Sequence, residues 1–177
     1  PGAANYYLST PSTSMDDTRW EFFVDLRFST SGANYADVYL ASDAADLSAG
    51  VNGYFLRIGG TADRIELFRS DAGTAVSVGL QSPDGVVNSS SANPFLLRAE
   101  RTVAGIWTLF YDDGATGTYL PAGTVTDATY SASSHFGVRI EQSVAASAVN
   151  NHFFDDFSVG PIPVDNTPRS ALAVATK

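Results

Sequence analysis

The chain has 177 residues, 44% hydrophobic and 12% aromatic, which suffices for one domain with a sizeable core and lies far from disordered compositions. A net charge of −9 argues against nucleic acid and anionic membrane surfaces as partners. The absence of cysteine excludes a disulfide framework, thiolate metal sites and cysteine catalysis, and no apolar run is long enough for a membrane-inserted helix.

Taken in chain order, the apolar residues alternate, and clusters of Gly, Asn, Asp, Ser and Thr interrupt them at short intervals. A short strand is expected at residues 5–9. The clearest one is 20–28, with Trp20, Phe22, Val24, Leu26 and Phe28 on one face and Glu21, Phe23, Asp25 and Arg27 on the other. Further strands are expected at 36–41, 54–58, 64–69, 76–80, 95–101, 106–111, 136–142 and 153–159, with a loose stretch between Tyr111 and Tyr130. Ten or eleven short strands at regular spacing predict an all-β, two-sheet sandwich or barrel. After Gly160, three prolines at 161, 163 and 168 break any ladder. The expected organisation is one domain over 1–160, then a linker and tail over 161–177 leading to a following module. The start at Pro1, without Met or a charged leader, reads as a mature or excised fragment.

The closing stretch His152-Phe153-Phe154-Asp155-Asp156-Phe157-Ser158-Val159-Gly160 carries a specific expectation. Strand parity puts Phe153, Asp155, Phe157 and Val159 on one face, and three apolar residues mark that face as inward. A carboxylate at Asp155 would then need a bound cation or several backbone N–H groups. Asp43, Asp46 and Asn52 share a loop without EF-hand spacing, so a solvated turn is expected there.

Several segments together resemble the concanavalin A-like, or laminin G-like, jelly-roll modules of secreted bacterial surface proteins. These are Asn5-Tyr6-Tyr7-Leu8-Ser9-Thr10-Pro11, Trp20-Glu21-Phe22, Tyr39-Leu40-Ala41-Ser42-Asp43, Asn52-Gly53-Tyr54-Phe55 and Phe154-Asp155-Asp156-Phe157. The resemblance covers residues 5–160. It implies an antiparallel jelly-roll sandwich, export to the cell surface or beyond, and covalently linked neighbouring domains, often immunoglobulin-like repeats. It also implies a structural Ca²⁺ near the first Asp of the final strand, here Asp155. The superfamily hosts lectins, hydrolases, lyases and adhesion modules, so fold alone does not fix function.

Catalytic signatures are weak. Enzymes of this fold usually carry paired carboxylates as E-x-D-x-E on one strand, where alternation brings i, i+2 and i+4 to one face. Here Glu21 and Asp25 bracket Phe23, where the middle acid should be. His135 and His152 lie beside strand starts, with no G-x-S-x-G elbow and no zinc spacing. Binding is the remaining class. Arg27, Arg57, Arg98 and Arg139, interleaved with Tyr39, Trp107 and Tyr111, would form an Arg–carboxylate lattice with aromatic plates if their strands share a sheet. Such a surface suits a polysaccharide or a cell-surface glycan. The alternatives are a polysaccharide-degrading hydrolase or lyase of the same fold, and a structural spacer.

Overall fold

The computed structural model describes residues 3–145 and 147–164. Of the linker and tail expected over 161–177, residues 165–177 lie outside the described residues. Among the described residues eleven strands are present: β1 (Ala4–Pro11), β2 (Thr18–Leu26), β3 (Tyr35–Ser42), β4 (Gly53–Gly59), β5 (Arg64–Asp71), β6 (Thr74–Gln81), β7 (Pro94–Arg101), β8 (Ile106–Asp113), β9 (Leu120–Thr126), β10 (His135–Gln142) and β11 (His152–Pro161). They form an antiparallel sandwich of a six-stranded sheet, β1-β10-β3-β4-β5-β6, and a five-stranded sheet, β11-β2-β7-β8-β9. No helix among the described residues is long and apolar enough to cross a membrane.

Alternation builds the core. Trp20, Phe22, Val24 and Leu26 of β2 face Val38 and Leu40 of β3 and Tyr54, Leu56 and Ile58 of β4, all buried. Trp20 and Trp107 stack with ring centroids 5.7 Å apart, and Tyr54 lies 4.7 Å from Trp107. Arg101 is also buried there, with its guanidinium carbon 5.6 Å from the Trp107 ring. It pairs with Asp16 and donates from Nη2 to the carbonyl of Tyr130 at 3.0 Å.

Two expectations change. The loose stretch before Tyr130 contains β9, an edge strand that Pro121 and Gly123 disguise. Its register shifts between Leu109 and Phe110 of the partner strand, and Pro121 needs no ladder partner at an edge. In β11, a bulge between Asp155 and Ser158 inserts an extra residue, with Asp156 at φ 54°. The bulge switches parity midway. Phe154, opposite Val24, and Val159, opposite Trp20, face inward, whereas Phe153 and Asp155, opposite Asp25 and Phe23, face outward. Asp155 therefore does not sit among core hydrophobes.

His152 starts β11 against Phe28, with ring centroids 4.6 Å apart, and its Nε2 is buried without a partner. Burial holds its pKa down at about 4. Because the folded value is depressed, the unfolded chain takes up the proton first, from about pH 6.5 downward. Stability is therefore complete above pH 6.5 and falls as the pH drops towards about 4. The ring is partly exposed, so the expected loss is about 1–2 kcal/mol, read by urea denaturation across that range. His152→Phe should flatten the profile; an unchanged slope would mean that another group titrates there.

Candidate functional site

The outer face of the six-stranded sheet carries three cross-strand rungs fixed by register. The first joins Gly137, Tyr39, Phe55 and Phe68, and the second joins Arg139, Asp37, Arg57 and Glu66. The third joins Glu141, Tyr35, Gly59 and Arg64. The β3–β4 loop folds over the first rung, so Leu47 and Val51 bury Tyr39 and Phe55 in a small second core. The outward Tyr39 is thereby buried, in a strand whose every residue is buried. The loop is pinned by Asp43, which accepts from the backbone N–H of Asn52 at 2.9 Å and from its side-chain amide at 2.8 Å. Asp46 accepts from the N–H and hydroxyl of Ser48, the capping pattern of a turn.

The second rung alternates in charge across four strands. Arg57 donates to Asp37 from Nε at 2.8 Å and from Nη2 at 2.9 Å, and Nη1 of Arg139 approaches the same carboxylate at 3.6 Å. Asp37 is wholly buried beneath these two side chains. Burial pushes its carboxyl above the usual carboxylate range, with the Arg57 bonds pulling the other way. Burial alone would lower Arg57, but hydrogen bonding to Asp37 holds it above its ordinary value. The Arg57 guanidinium carbon lies 4.1 Å from the centre of the Tyr35 ring and 5.1 Å from that of Phe68. Phe68 in turn stacks on Phe55 at 5.4 Å. A planar cation is thus locked by a bidentate anion and flanking rings.

The third rung leaves the opening. Gly59 has no side chain, and with φ 93° and Thr30 atoms 2.6 Å from where a Cβ would lie, the position is closed to larger residues. The space beside it is a pocket of about 300 Å³ whose walls include Tyr35, Arg57, Arg64, Glu66 and Phe68. Arg64 donates from Nε to Glu66 at 2.9 Å and from Nη1 to Asp84 at 2.9 Å, and Ser77 donates to Glu66. Fixed donors, acceptors and ring edges therefore meet in one shallow depression.

The candidate residues read from sequence fall into three places. Tyr39, Arg57 and Arg139 share this face, though Tyr39 is covered by the loop. Arg98 belongs to β7 of the five-stranded sheet, and Arg27 directly follows β2 of that sheet. Arg27 donates to Asp25 at 2.6 Å and lies over Phe153 at 4.1 Å, and Arg98 donates to Glu21 at 2.7 Å over Tyr119 at 4.1 Å. Trp107 and Tyr111 point into the core. The single shared lattice is therefore corrected to two separate ones, because β2 and β7 belong to the other sheet. Tyr35, Asp37, Gly59, Glu66 and Phe68 were missed as site residues. The available signal was that Asp37 and Arg57 occupy outward positions of consecutive strands.

Asp155 is exposed, and its Oδ1 accepts the N–H of Asp156 at 2.8 Å within the bulge. Calcium requires six to eight oxygens, and no group of three or more His, Cys, Asp or Glu residues converges among the described residues. The donor set at Asp155 does not fit that ion. Asp155→Ala should change stability by less than about 0.5 kcal/mol, as for other exposed positions, with the same melting shift with and without chelator. A calcium-dependent melting point that this substitution abolishes would restore the ion to Asp155.

No protein-family model and no curated protein sequence matches the chain. Among solved structures it is similar to the carbohydrate-binding module CBM66 from Bacillus subtilis at 13% identity, with 90% of this chain and 83% of that chain covered and a TM-score of 0.63. It is also similar to the VIP36 exoplasmic/lumenal domain in a Ca²⁺/Man3GlcNAc-bound form, at 12% identity, 95% and 78% coverage and a TM-score of 0.60. A third is CG-16, a homodimeric agglutinin from chicken liver, at 6% identity, 88% and 100% coverage and a TM-score of 0.50. At these identities the likeness establishes the fold, the jelly-roll sandwich of lectins and carbohydrate-binding modules.

Proposed function

We propose that this chain is a non-catalytic carbohydrate-binding module of a secreted or cell-surface protein, with its glycan site on the outer face of the six-stranded sheet around Arg57. The observation that carries the reading is the pocket beside Gly59, where Arg57, Arg64, Glu66 and Tyr35 are immobilised before any ligand arrives. Sugar hydroxyls both donate and accept, and a few fixed polar groups beside an aromatic edge suit them. Preorganisation matters because a weak, shallow site cannot also bear the cost of ordering long side chains. Three solved structures of the same fold, named for carbohydrate binding or agglutination, support the class of ligand.

The partner is a polysaccharide or a cell-surface glycan, and the module is one domain of a longer exported chain. An adhesive role follows if that glycan belongs to another cell. Calcium enters as a condition of the test, since one structural neighbour is named as Ca²⁺-bound while no cluster of three or more His, Cys, Asp or Glu residues gathers among the described residues. The experiment is a glycan array run in calcium and again in chelator. Binding to a defined glycan family in either condition is the expected outcome, and silence in both would end the lectin reading.

A further inference from the structure

The two sheets differ by one strand, and the mismatch falls on one side. At one side β6 and β9 close together, with Gly123 of β9 against Leu80 of β6. At the other side β10 lies over β11, where Phe136 and Phe157 meet edge to face at 5.3 Å. Beyond β10 the larger sheet continues into β1, and among the described residues the smaller sheet has no strand to face it. Register confirms which face of β1 is left bare. Tyr6, Leu8 and Thr10 are opposite Ile140, Val138 and Phe136, which point into the sandwich. Those β1 positions should be core, yet Tyr6 is 48% exposed and Leu8 74%.

Beneath this overhang runs a groove of about 460 Å³, bounded by Leu8, Phe136, Val138, Phe157 and Val159, with no charged residue in its lining. It ends along two strand edges, β1 and β11, that have no ladder partner among the described residues. Edge strands are usually blunted by charge, proline or a bulge. In β11 the bulge between Asp155 and Ser158 does this for the first half, but Ser158 to Gly160 stay regular. In β1 there is neither charge nor register shift along its whole pairing with β10, and its one proline, Pro11, is the last residue of the strand.

We propose that this step is the docking surface for a second copy of the chain. A two-fold axis running along the strands, on the open side, turns the overhang of one copy into the notch of the other. The β1 strand of each copy then lies beside the partner's β11. The six-stranded sheet of each runs on into the five-stranded sheet of the other, giving two stacked sheets of eleven strands. Leu8 and Tyr6 of each copy become core, and both free edges gain ladder partners. A second copy is favoured over an unrelated partner because the step is self-complementary: overhang and notch differ by one strand, and the same chain carries both.

The contact plane is about 27 Å long and about 15 Å deep, from eight residues of strand and one sheet separation plus one strand spacing. At about 400 Å² per copy the interface falls in the weak, transient class, so self-association no tighter than micromolar is expected. Two chains of net charge −9 repel outside the groove, so association should strengthen with salt.

The test is sedimentation velocity of the full chain from about 1 to about 100 µM, with hydrogen exchange at both ends of that range. The expected result is a monomer–dimer equilibrium in which the amides of β1 and of Ser158 to Gly160 gain protection as dimer forms. Leu8→Arg should weaken the dimer at least tenfold, because it places an unpaired charge in the dry groove. Since Leu8 is exposed in the single chain, this change leaves folding intact. Leu120→Arg, at the far edge of the smaller sheet and also half exposed, should leave the dimer unchanged. A monomer throughout overturns the proposal, as does a dimer indifferent to Leu8→Arg. Protection of both edges already at the lowest concentration would mean that the groove is filled within one chain, and this also overturns it.

Discussion

Replacing Trp107 with Ala is expected to cost about 3–5 kcal/mol of stability, the range for removing a large buried aromatic. The indole is fully buried between the sheets, stacked on Trp20 and close to Tyr54. Its Nε1–H donates to the carbonyl of Asp127 at 3.2 Å, which ties the stretch after β9 to the core. Asp127 is itself a hub. It accepts from the Tyr54 hydroxyl at 2.7 Å and from Arg69 at 2.6 Å, and although burial works against it, these bonds hold its pKa at about 2. Losing Trp107 therefore leaves a cavity and loosens the anchor of the strand that closes one side of the sandwich. In thermal unfolding the drop should be about 6–20 °C for a domain of this size. A loss below about 1.5 kcal/mol would mean that the interior collapses around the gap and that the tryptophan pair is not the keystone of the packing. A double-mutant cycle with Trp20→Phe should return about 0.5–1.5 kcal/mol of coupling for the stacked pair.

The second large effect is expected from Asp37→Ala. This carboxylate has no solvent exposure and holds Arg57 in a bidentate pair while neutralising Arg139. Breaking a buried pair on one side leaves the other charge uncompensated, at about 3–5 kcal/mol when fully buried. Here the arginines keep some exposure, so about 2–4 kcal/mol is expected. Glycan binding should also fall at least tenfold, because Arg57 loses the anchor that fixes it over Tyr35. The conservative Asp37→Asn keeps the size but not the charge, and should lie between wild type and Ala in both measurements. Normal glycan affinity in Asp37→Ala, measured on protein shown to be folded, would place the binding site elsewhere.

Much of the fold is legible in the chain because its strands alternate so regularly. In β2 every inward position from Trp20 to Leu26 is hydrophobic and most of the outward ones are charged, so a two-residue period is unmistakable. What sequence hides is where that period breaks. A single bulge at Asp156 puts Phe153 and Asp155 on the opposite face from Val159, so the expected buried ligand at Asp155 is a surface residue. In β9, proline and glycine suppress the signal altogether. The site was half legible. Arg57 and Arg139 stand out as charged residues on alternating strands, but assigning Arg98 to their face required knowing which strands share a sheet. That is decided by long-range pairing, such as β10 inserting between β1 and β3, which no local pattern records. Tyr39 and Trp107 illustrate the complementary difficulty. An outward position became core when a loop folded over it, and a strand with apolar residues on both faces gave no sign of which ring was buried.

The most direct measurement of the proposed function is a set of calorimetric titrations with the glycan that gives the strongest array signal. Wild type would be compared with Arg57→Gln and Arg98→Gln, two changes of the same chemistry on opposite sheets. The expected result is at least a tenfold loss of affinity for Arg57→Gln and less than a twofold change for Arg98→Gln. Equal affinities for all three proteins, or a loss confined to Arg98→Gln, would contradict a glycan site on the face built by β3, β4 and β5.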